Sequence, residues 1–397
     1  MTTQQICIAG GMRTPFGDYG KSLKNTRMID LGIHAAKASV ERAGIAPEKL
    51  DHSVWGNVLP VDHDGFYASR AIALGIGMRE ESCALNVSRA CGSGTQAIIT
   101  AAEQILSGHG KLALAGGGEN FSRGPYMDTA SRWGAIRGPK VMEDSLDWAY
   151  RDPFSRELMG ETAENLSDDF QYTREQMDEY ALMSQQRAGA AIESGFLGRQ
   201  IAPIEVKEGK TTRLMEVDEF PRPTVTAEKL AKLKPVFREG GRVTPGNSSG
   251  VTDGAAMVVV GDRAALEAEG AAPRVILKDW AIVGVSPRIM GCGPVPAIRA
   301  LLERNNMSLG DIDYFEINEA FAAVNLHTER ELGIRRDNTN LYGGGISLGH
   351  PPGATGARMT LVAMEHLEET GGRYAVVSMC MGAGQGMAVL LENIGRA

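Results

Sequence analysis

Residues 86–98 read NVSRACGSGTQAI and lead from an apolar, strand-like segment into an apolar, helix-like one. Short strand-like segments precede and follow it, in QQICIAGGMR, SVWGNVLP and KLALAGGGE, and amphipathic segments such as MIDLGIHAAKASVERAG lie between them. Strands and helices that alternate at this interval predict crossover units. We therefore expect an α/β fold with helices on both faces of a mostly parallel sheet.

The second half of the chain begins again in the same style at RVILKDWAIVGVSP. Residues 38–51 and residues 300–313 align over fourteen positions, with identities at Ala, Glu-Arg and the final Asp. Each half also contains a strand that ends in a cysteine followed by glycines, at Cys91 and at Cys380. The pattern indicates two copies of one α/β unit.

The region between these copies has a different composition. Residues 121–250 are irregular, with close-spaced aromatic residues and then many Lys, Arg and Pro residues. A clear helix follows Thr173 within it, with Thr173 as the predicted cap. We predict that residues 1–120 with 251–272 form the N-terminal half. Residues 121–250 form an inserted loop domain over the mouth of a site, and residues 273–397 form the C-terminal half.

Composition argues against several classes of protein. The net charge of -8 disfavours nucleic acid as a partner. No apolar stretch approaches the roughly 20 residues that span a bilayer, and we expect no secretory signal. The five cysteines are scattered without Cys-x-x-Cys spacing, which favours a reducing cytoplasm and gives no indication of a metal site.

Cys91 is the first candidate for chemistry. It precedes a predicted helix, whose dipole would favour the thiolate and lower the pKa of Cys91. Gly92 and Gly94 would leave room for a substrate carbonyl and for free backbone N–H groups. A small buried side chain is the alternative, since free cysteine is among the most buried residue types.

His350, Cys380 and Asn318 are further candidates. His350 lies in GGGISLGHPPGATGAR, where prolines and glycines hold a stiff loop suited to a base, although a purely structural histidine fits equally well. Cys380 ends a strand beside a glycine turn, so it either moves a proton at carbon or packs in the core. Asn318 could hold a water or donate to an oxyanion, but locally we favour a cap for a helix that begins at Glu319.

Eight motifs together resemble one family, the thiolases, and they occur in the order found there over nearly the whole chain. They are NVSRACGSGTQAI, GGGENFSRGPY, MGETAENL, GNSSGVTDGAA, MGCGPVPAI, NEAFAAV, GGGISLGHPPGATGAR and CMGAGQG. The resemblance implies two repeated βαβαβαββ halves in a five-layered α-β-α-β-α arrangement with an inserted loop domain. It also implies an acyltransferase that joins or splits 3-ketoacyl-CoA through an acyl-cysteine, in fatty-acid or short-chain acyl-CoA metabolism.

The resemblance assigns roles to residues of this chain. Cys91 matches the nucleophile, His350 the base that activates it, and Cys380 the cysteine that exchanges the α-proton of acetyl-CoA. Asn318 matches the residue that holds an oxyanion-hole water. The backbone N–H groups of Cys91 and Gly382 would form a second oxyanion hole.

The resemblance further implies coenzyme A and acyl-CoA as substrates, with no permanently bound cofactor, and a homodimer or homotetramer. Arg222 matches an arginine beside the adenine of the coenzyme, and Ser249 matches a pantetheine contact. Leu158 departs from the histidine usual in short-chain enzymes, which leaves room for longer or unusual acyl groups. Ala383 stands where glycine is common.

Two alternatives remain. A β-ketoacyl synthase-like condensing enzyme shares the general fold, but two cysteines with one loop histidine favour a thiolase. A decarboxylation assay with a malonyl thioester would separate them. A non-catalytic acyl-CoA or lipid carrier would need none of Cys91, His350, Cys380 and Asn318 together.

Overall fold

The N-terminal half alternates strands and helices as the sequence predicts. The computed structural model describes residues 4–134 and 137–396. The first elements are β1 (Ile6–Arg13), β2 (Gly17–Asp18), α1 (Met28–Ala43), β3 (His52–Gly56), α2 (Ala68–Gly75), β4 (Cys83–Val87), α3 (Ser93–Leu106) and β5 (Leu112–Glu119). Residues 86–98 therefore run from the end of β4 into the first turns of α3, as predicted.

The inserted region is built from short elements and one long helix. Its elements are β6 (Tyr126–Met127), β7 (Glu143–Asp144), α4 (Ser145–Tyr150), α5 (Met159–Phe170), α6 (Arg174–Glu193), β8 (Ile204–Glu208), β9 (Thr211–Met215) and α7 (Ala227–Ala231). The predicted cap of α6 is confirmed, because the Thr173 hydroxyl accepts from the N–H of Gln176 at 3.2 Å. The domain boundaries at 120, 250 and 272 stay predictions.

The remaining elements complete the first half and form the second. They are β10 (Thr252–Asp262), α8 (Arg263–Ala268), β11 (Val275–Gly284), α9 (Pro294–Arg304), β12 (Tyr314–Ile317), α10 (Ala322–Leu332), α11 (Gly345–Leu348), α12 (Pro352–Thr370), β13 (Tyr374–Met381) and β14 (Gln385–Asn393). Among the described residues, no helix is both long enough and apolar enough to cross a membrane.

The predicted internal repeat is confirmed at the level of single contacts. Residues 38–51 run from α1 to the start of β3, and residues 300–313 run from α9 to the start of β12. The shared aspartate accepts equivalent backbone hydrogen bonds in each copy. Asp51 Oδ2 accepts from the N–H groups of Lys111 and Leu112 at the start of β5. Asp313 Oδ2 accepts from those of Arg373 and Tyr374 at the start of β13.

The sheet is mixed, so the prediction of a mostly parallel sheet is wrong. Ten strands of the described residues form this sheet: nine follow one path in the order β12-β13-β14-β11-β1-β10-β5-β3-β4, and β2 pairs with β10 beside that path. In the first half β3 is parallel to β5, which is antiparallel to β10. In the second half β12 is parallel to β13, which is antiparallel to β14. The short turn between β13 and β14 forces the antiparallel pairing, because parallel strands need a long crossover.

Side chains alternate along each strand between a central core on one face of the sheet and an outer core on the other face. This gives the five layers that the resemblance implies. In β10, Val258 and Val260 face a central core with α3 and α12, whereas Val259 faces an outer core with α1 and α2. In the second half, Val377 faces the central core and Val376 faces an outer core with α9. Each large aliphatic side chain buried in this way contributes about 1.5–3 kcal/mol.

This architecture brings four chain segments to one end of the central layer. β4 leads into Cys91 at the start of α3, and β12 ends immediately before Asn318. Cys380 lies near the end of β13, and His350 precedes α12, which begins with Pro352 at a position where proline is tolerated. Residues that are far apart in the sequence therefore meet because equivalent strand ends of both halves meet.

Candidate active site

A mostly apolar cavity lies where these segments meet. It is lined by four of the predicted site residues, Cys91, Ser249, His350 and Gly382. The other lining residues are Val58, Ala90, Phe121, Ala149, Tyr150, Met159, Met290, Ala320, Phe321 and Pro352. Exclusion of water by such walls strengthens the electrostatic interactions inside.

Cys91 is half-buried and carries an un-ionised thiol. Ala90 before it has a left-handed φ of 44°, which turns the chain from β4 toward α3. Burial raises the pKa of Cys91 to about 11, even though the backbone N–H groups of Gly382 and of Cys91 itself donate to the sulfur and lower it. The prediction that the helix lowers the pKa of this thiol is wrong, because loss of hydration outweighs the helix terminus. The two N–H groups that face the sulfur are those predicted to form an oxyanion hole.

The glycines after Cys91 serve packing and do not leave room for substrate, so that prediction is also wrong. A Cβ at Gly92 would lie 2.3 Å from the sulfur of Met381. A Cβ at Gly94 would lie 2.4 Å from the carbonyl oxygen of Gly353, because α3 and α12 cross with their backbones almost in contact. The glycines therefore fix the distance between the segments that carry Cys91 and His350.

His350 is held as a neutral imidazole. Its Nδ1 lies 2.7 Å from the Thr355 hydroxyl, which itself donates to the Pro351 carbonyl at 2.9 Å. Because that hydroxyl proton is committed, Nδ1 carries the ring proton and Nε2 presents a lone pair. Burial, with a smaller effect of the Arg358 charge, lowers the pKa of His350 to about 3. His350 is therefore an unprotonated imidazole at neutral pH, and its role as a base stays a prediction.

Asn318 lies beside His350 and does not cap a helix. Its Nδ2 lies 3.3 Å from His350 Nε2, and its backbone N–H donates to the Ser378 carbonyl at 2.9 Å. The following helix, α10, begins at Ala322 and not at Glu319, so the cap that we favoured from the local sequence is wrong. The Asn318 Oδ1 atom is buried and has no hydrogen-bond partner among the described residues. A buried amide left in this state is suited to a polar ligand or a water.

Cys380 lies behind the cavity wall. It is fully buried in an apolar cluster with Met290 and Phe321, both of which line the cavity. Burial, with a further contribution from the charge of Cys91, raises its pKa well above the ordinary value. Cys380 is therefore a protonated thiol close to Cys91, and Gly382, two residues further on, lines the cavity itself.

A second chamber adjoins the first and shares four of its residues, Tyr150, Met159, Ser249 and Phe321. Its other lining residues are Leu158, Gly160, Phe237, Ser248 and Val251. Ser249 therefore lies where the two chambers meet, and Leu158 lies in the outer one. Neither Tyr150 nor Met159 was a candidate site residue from the sequence, although Tyr150 stands among the close-spaced aromatic residues of the inserted region and Met159 begins the motif MGETAENL.

Arg222 is not part of either chamber. Its side chain is about half exposed, pairs with Asp18 at 3.1 Å and donates to the carbonyls of Glu219, Phe220 and Pro221. The part of the chain that the structure describes contains no group of three or more His, Cys, Asp or Glu residues arranged to hold a metal ion.

Comparisons with known proteins agree with this geometry. Residues 6–264 match the thiolase N-terminal domain, and residues 271–393 match the thiolase C-terminal domain. Beta-ketothiolase BktB of Cupriavidus necator is 42% identical over 99% of this chain and 100% of its own length. The crystal structure of human mitochondrial 3-ketoacyl-CoA thiolase superimposes with a TM-score of 0.96 at 40% identity, covering 98% of this chain and 99% of that one. A structure of the human enzyme in complex with CoA gives a TM-score of 0.95 at 40% identity, with 98% of both chains covered.

A two-halved α/β fold, with one cysteine and a loop histidine lining a cavity and a second cysteine buried behind its wall, is that of an acyltransferase of the thiolase type. The chain belongs to the thiolase family. The human structure in complex with CoA shows that a relative of this chain binds the coenzyme.

Proposed function

We propose that the chain splits or forms 3-ketoacyl-CoA with Cys91 as nucleophile, His350 as base and Cys380 as the acid and base at carbon. One observation carries the proposal. A single cavity contains an un-ionised cysteine, whose sulfur faces two backbone N–H groups, and a neutral histidine whose Nε2 carries a lone pair that can accept a proton.

Acylation of Cys91 is the first step in the thiolytic direction. His350 Nε2 takes the thiol proton as the sulfur attacks the 3-keto carbon of the substrate. The electron pair of the carbonyl moves to its oxygen, which the N–H groups of Cys91 and Gly382 stabilise. The C2–C3 bond then breaks, leaving an acyl group on Cys91 and the enolate of acetyl-CoA.

Cys380 and Asn318 act on that enolate. The Cys380 thiol protonates its α-carbon and becomes a thiolate, while Asn318 and protonated His350 stabilise the thioester oxygen. The Cys380 thiolate next takes the proton of an incoming coenzyme A thiol, which attacks the acyl group. Cys91 leaves as a thiolate and recovers its proton from His350, so every group returns to its starting state. Condensation follows the same steps in reverse.

The outer chamber is suited to the pantetheine arm of the coenzyme. It adjoins the Cys91 cavity, its walls are mostly apolar, and Ser249 supplies a hydroxyl where the two chambers meet. Arg222 would contact the adenine outside this chamber. Ser249→Val and Arg222→Ala test these assignments, and we expect each to raise KM for coenzyme A by about 5–20-fold with kcat within about twofold. An unchanged KM would refute the corresponding contact.

Detection of the acyl-enzyme tests the proposed function directly. Intact mass after brief incubation with acetoacetyl-CoA should show an acetyl-sized increase, and peptide mapping should locate it at Cys91. Cys91→Ala should remove the increase. A modification at another residue, or normal thiolysis by Cys91→Ala, would contradict the mechanism. A series of longer 3-ketoacyl-CoA substrates would then define the preferred chain length and direction.

We also propose that the chain forms a homodimer through β4. This strand is an edge of the ten-stranded sheet, and Phe66, Tyr67 and Leu85 beside or on it are exposed. An open strand edge with exposed apolar side chains favours pairing with another strand. A second exposed apolar group in the inserted region, Trp133 and Phe154, would support a dimer of dimers.

Light scattering after size exclusion tests the assembly. The parent should have a dimeric or tetrameric mass, and Leu85→Lys should reduce it to that of a monomer. An unchanged mass would place the interface elsewhere.

We further propose a cytoplasmic location, since the five cysteines of the described chain are all free thiols. Cell fractionation tests this, and recovery in an organelle would contradict it.

A further inference from the structure

Glu119 carries a fully buried carboxyl group at the end of β5, and the proposed mechanism does not use it. Among the described residues, its hydrogen-bond donors are three backbone N–H groups. Its Oε1 accepts from Val58 at 2.5 Å and from Gly353 at 3.2 Å, and its Oε2 accepts from Leu59 at 3.3 Å. A buried carboxylate needs such compensation, so the contacts determine where these backbone segments lie.

The donors belong to two walls of the catalytic cavity. Val58 lines the cavity, and so does Pro352, which directly precedes Gly353. Gly353 is the second residue of α12, and its N–H is the first that this helix offers because Pro352 has none. The carboxylate therefore caps α12 three residues after His350 and ties the helix to the loop after β3.

The packing around Gly353 leaves little freedom for this junction. A Cβ on Gly353 would lie 2.4 Å from the Gly56 carbonyl oxygen and 2.6 Å from the Gly118 carbonyl oxygen. The start of α12 thus rests on the backbones of β3 and β5, and Glu119 supplies the polar contacts at their ends. A shift of α12 there would move His350 relative to Cys91.

The charge of Glu119 also reaches the cavity. Burial raises the pKa of Glu119 to about 8, although the three N–H groups that donate to it lower the pKa. The charge of Asp253 on β10 adds a smaller increase. The Glu119 charge in turn contributes to the raised pKa values of Cys91 and Tyr150. Above about pH 8 the ionised carboxylate therefore opposes ionisation of Cys91.

We propose that Glu119 is a positioning residue for the acylation step, which holds the start of α12 against the loop after β3 so that His350 reaches Cys91. Two variants separate position from charge. Glu119→Gln keeps the length of the side chain but removes the charge and one acceptor. Glu119→Asp keeps the charge but is too short to reach both walls.

The test compares two reactions of Cys91. One is the rapid-quench rate of acylation by acetoacetyl-CoA, which needs His350. The other is alkylation by iodoacetamide at pH 9, located by peptide mapping, which needs only the thiolate. We expect acylation to fall at least tenfold in both variants. Alkylation should rise at least twofold in Glu119→Gln, because removal of the negative charge lowers the pKa of Cys91, and should stay within twofold in Glu119→Asp.

Glu164→Gln is the matched control. Glu164 is equally buried and accepts from the backbone N–H groups of Arg242 and Val243, which line neither chamber. It should lose thermal stability without a comparable loss of acylation. The proposal is overturned if Glu119→Gln acylates at the parent rate, if it loses no more than Glu164→Gln, or if acylation and alkylation fall together. If Glu119→Gln does not fold, the two rates of Glu119→Asp decide.

Discussion

Replacement of His350 by alanine should convert acylation from a reaction whose rate does not depend on pH into one whose rate rises with pH. In the parent, the pKa of His350 is lowered to about 3, so the imidazole is neutral and able to accept a proton at every pH above about 5. The acylation rate of the parent should therefore be flat between about pH 6 and pH 8.5.

The size of the effect follows from the pKa of Cys91, which burial raises to about 11. At pH 7.5 only about 3 in 10⁴ molecules would carry the thiolate without a base. His350→Ala must use that population, so its acylation rate at pH 7.5 should be about 10³–10⁴-fold below that of the parent. The rate should rise about tenfold for each pH unit up to about pH 10.

The assay is acylation by acetoacetyl-CoA, followed by rapid quench and intact mass at pH 6 to 10. His366→Gln is the matched control. Like His350, His366 is buried and has a lowered pKa, but it lies within α12 and forms a hydrogen bond with Tyr342 outside the cavity. It should retain the flat profile. A flat profile for His350→Ala, or a loss below about tenfold at pH 7.5, would refute the assignment of His350 as the base.

Three further changes give separate outcomes. Cys380→Ser should still be acetylated at Cys91 by acetyl-CoA but should lose α-proton exchange of acetyl-CoA in D₂O by at least about 10²-fold, since only exchange needs an acid and base at carbon; retained exchange would contradict its role. Ala383→Gly should stabilise the fold by about 0.5–1 kcal/mol in urea unfolding, because Ala383 has a left-handed φ of 63°; destabilisation would show that the strain argument is wrong. Leu158 lies in the outer chamber, and Leu158→His would bury an unpaired polar group there. It should therefore lower kcat/KM for 3-ketoacyl-CoA substrates of eight or more carbons by about tenfold relative to acetoacetyl-CoA. An equal change for all chain lengths would contradict the role of Leu158 in selectivity.

Several features of the fold could be predicted from local sequence. The strand before Cys91 and the helix after it follow from apolar periodicity and glycine placement. The repeat was visible because Asp51 and Asp313 must satisfy equivalent backbone N–H groups in the two halves. The direction of most strands was not predictable in the same way, because a strand has the same alternating pattern whether its neighbour is parallel or antiparallel.

The site was predicted in part. Cys91 and His350, which line one cavity, were chosen as candidates because a cysteine at a strand-to-helix turn and a histidine in a stiff loop are unusual locally. Asn318 was assigned a local role because the sequence shows only its chain neighbours, whereas its partner His350 is 32 positions away. Glu119 stood within a quoted motif but gave no signal, since a carboxylate in a sequence does not reveal which backbone groups it will meet.

The sequence by itself therefore determined the order of the elements, the duplication and the chemical identity of the reactive groups. Only the tertiary structure decided their protonation states and their roles. The helix N-terminus after Cys91 predicts a lowered pKa for this thiol, yet enclosure by residues from both halves and from the inserted region raises it to about 11. Hydration and dielectric surroundings depend on every segment that closes the cavity, and those segments come together only when the two halves pack on α3 and α12.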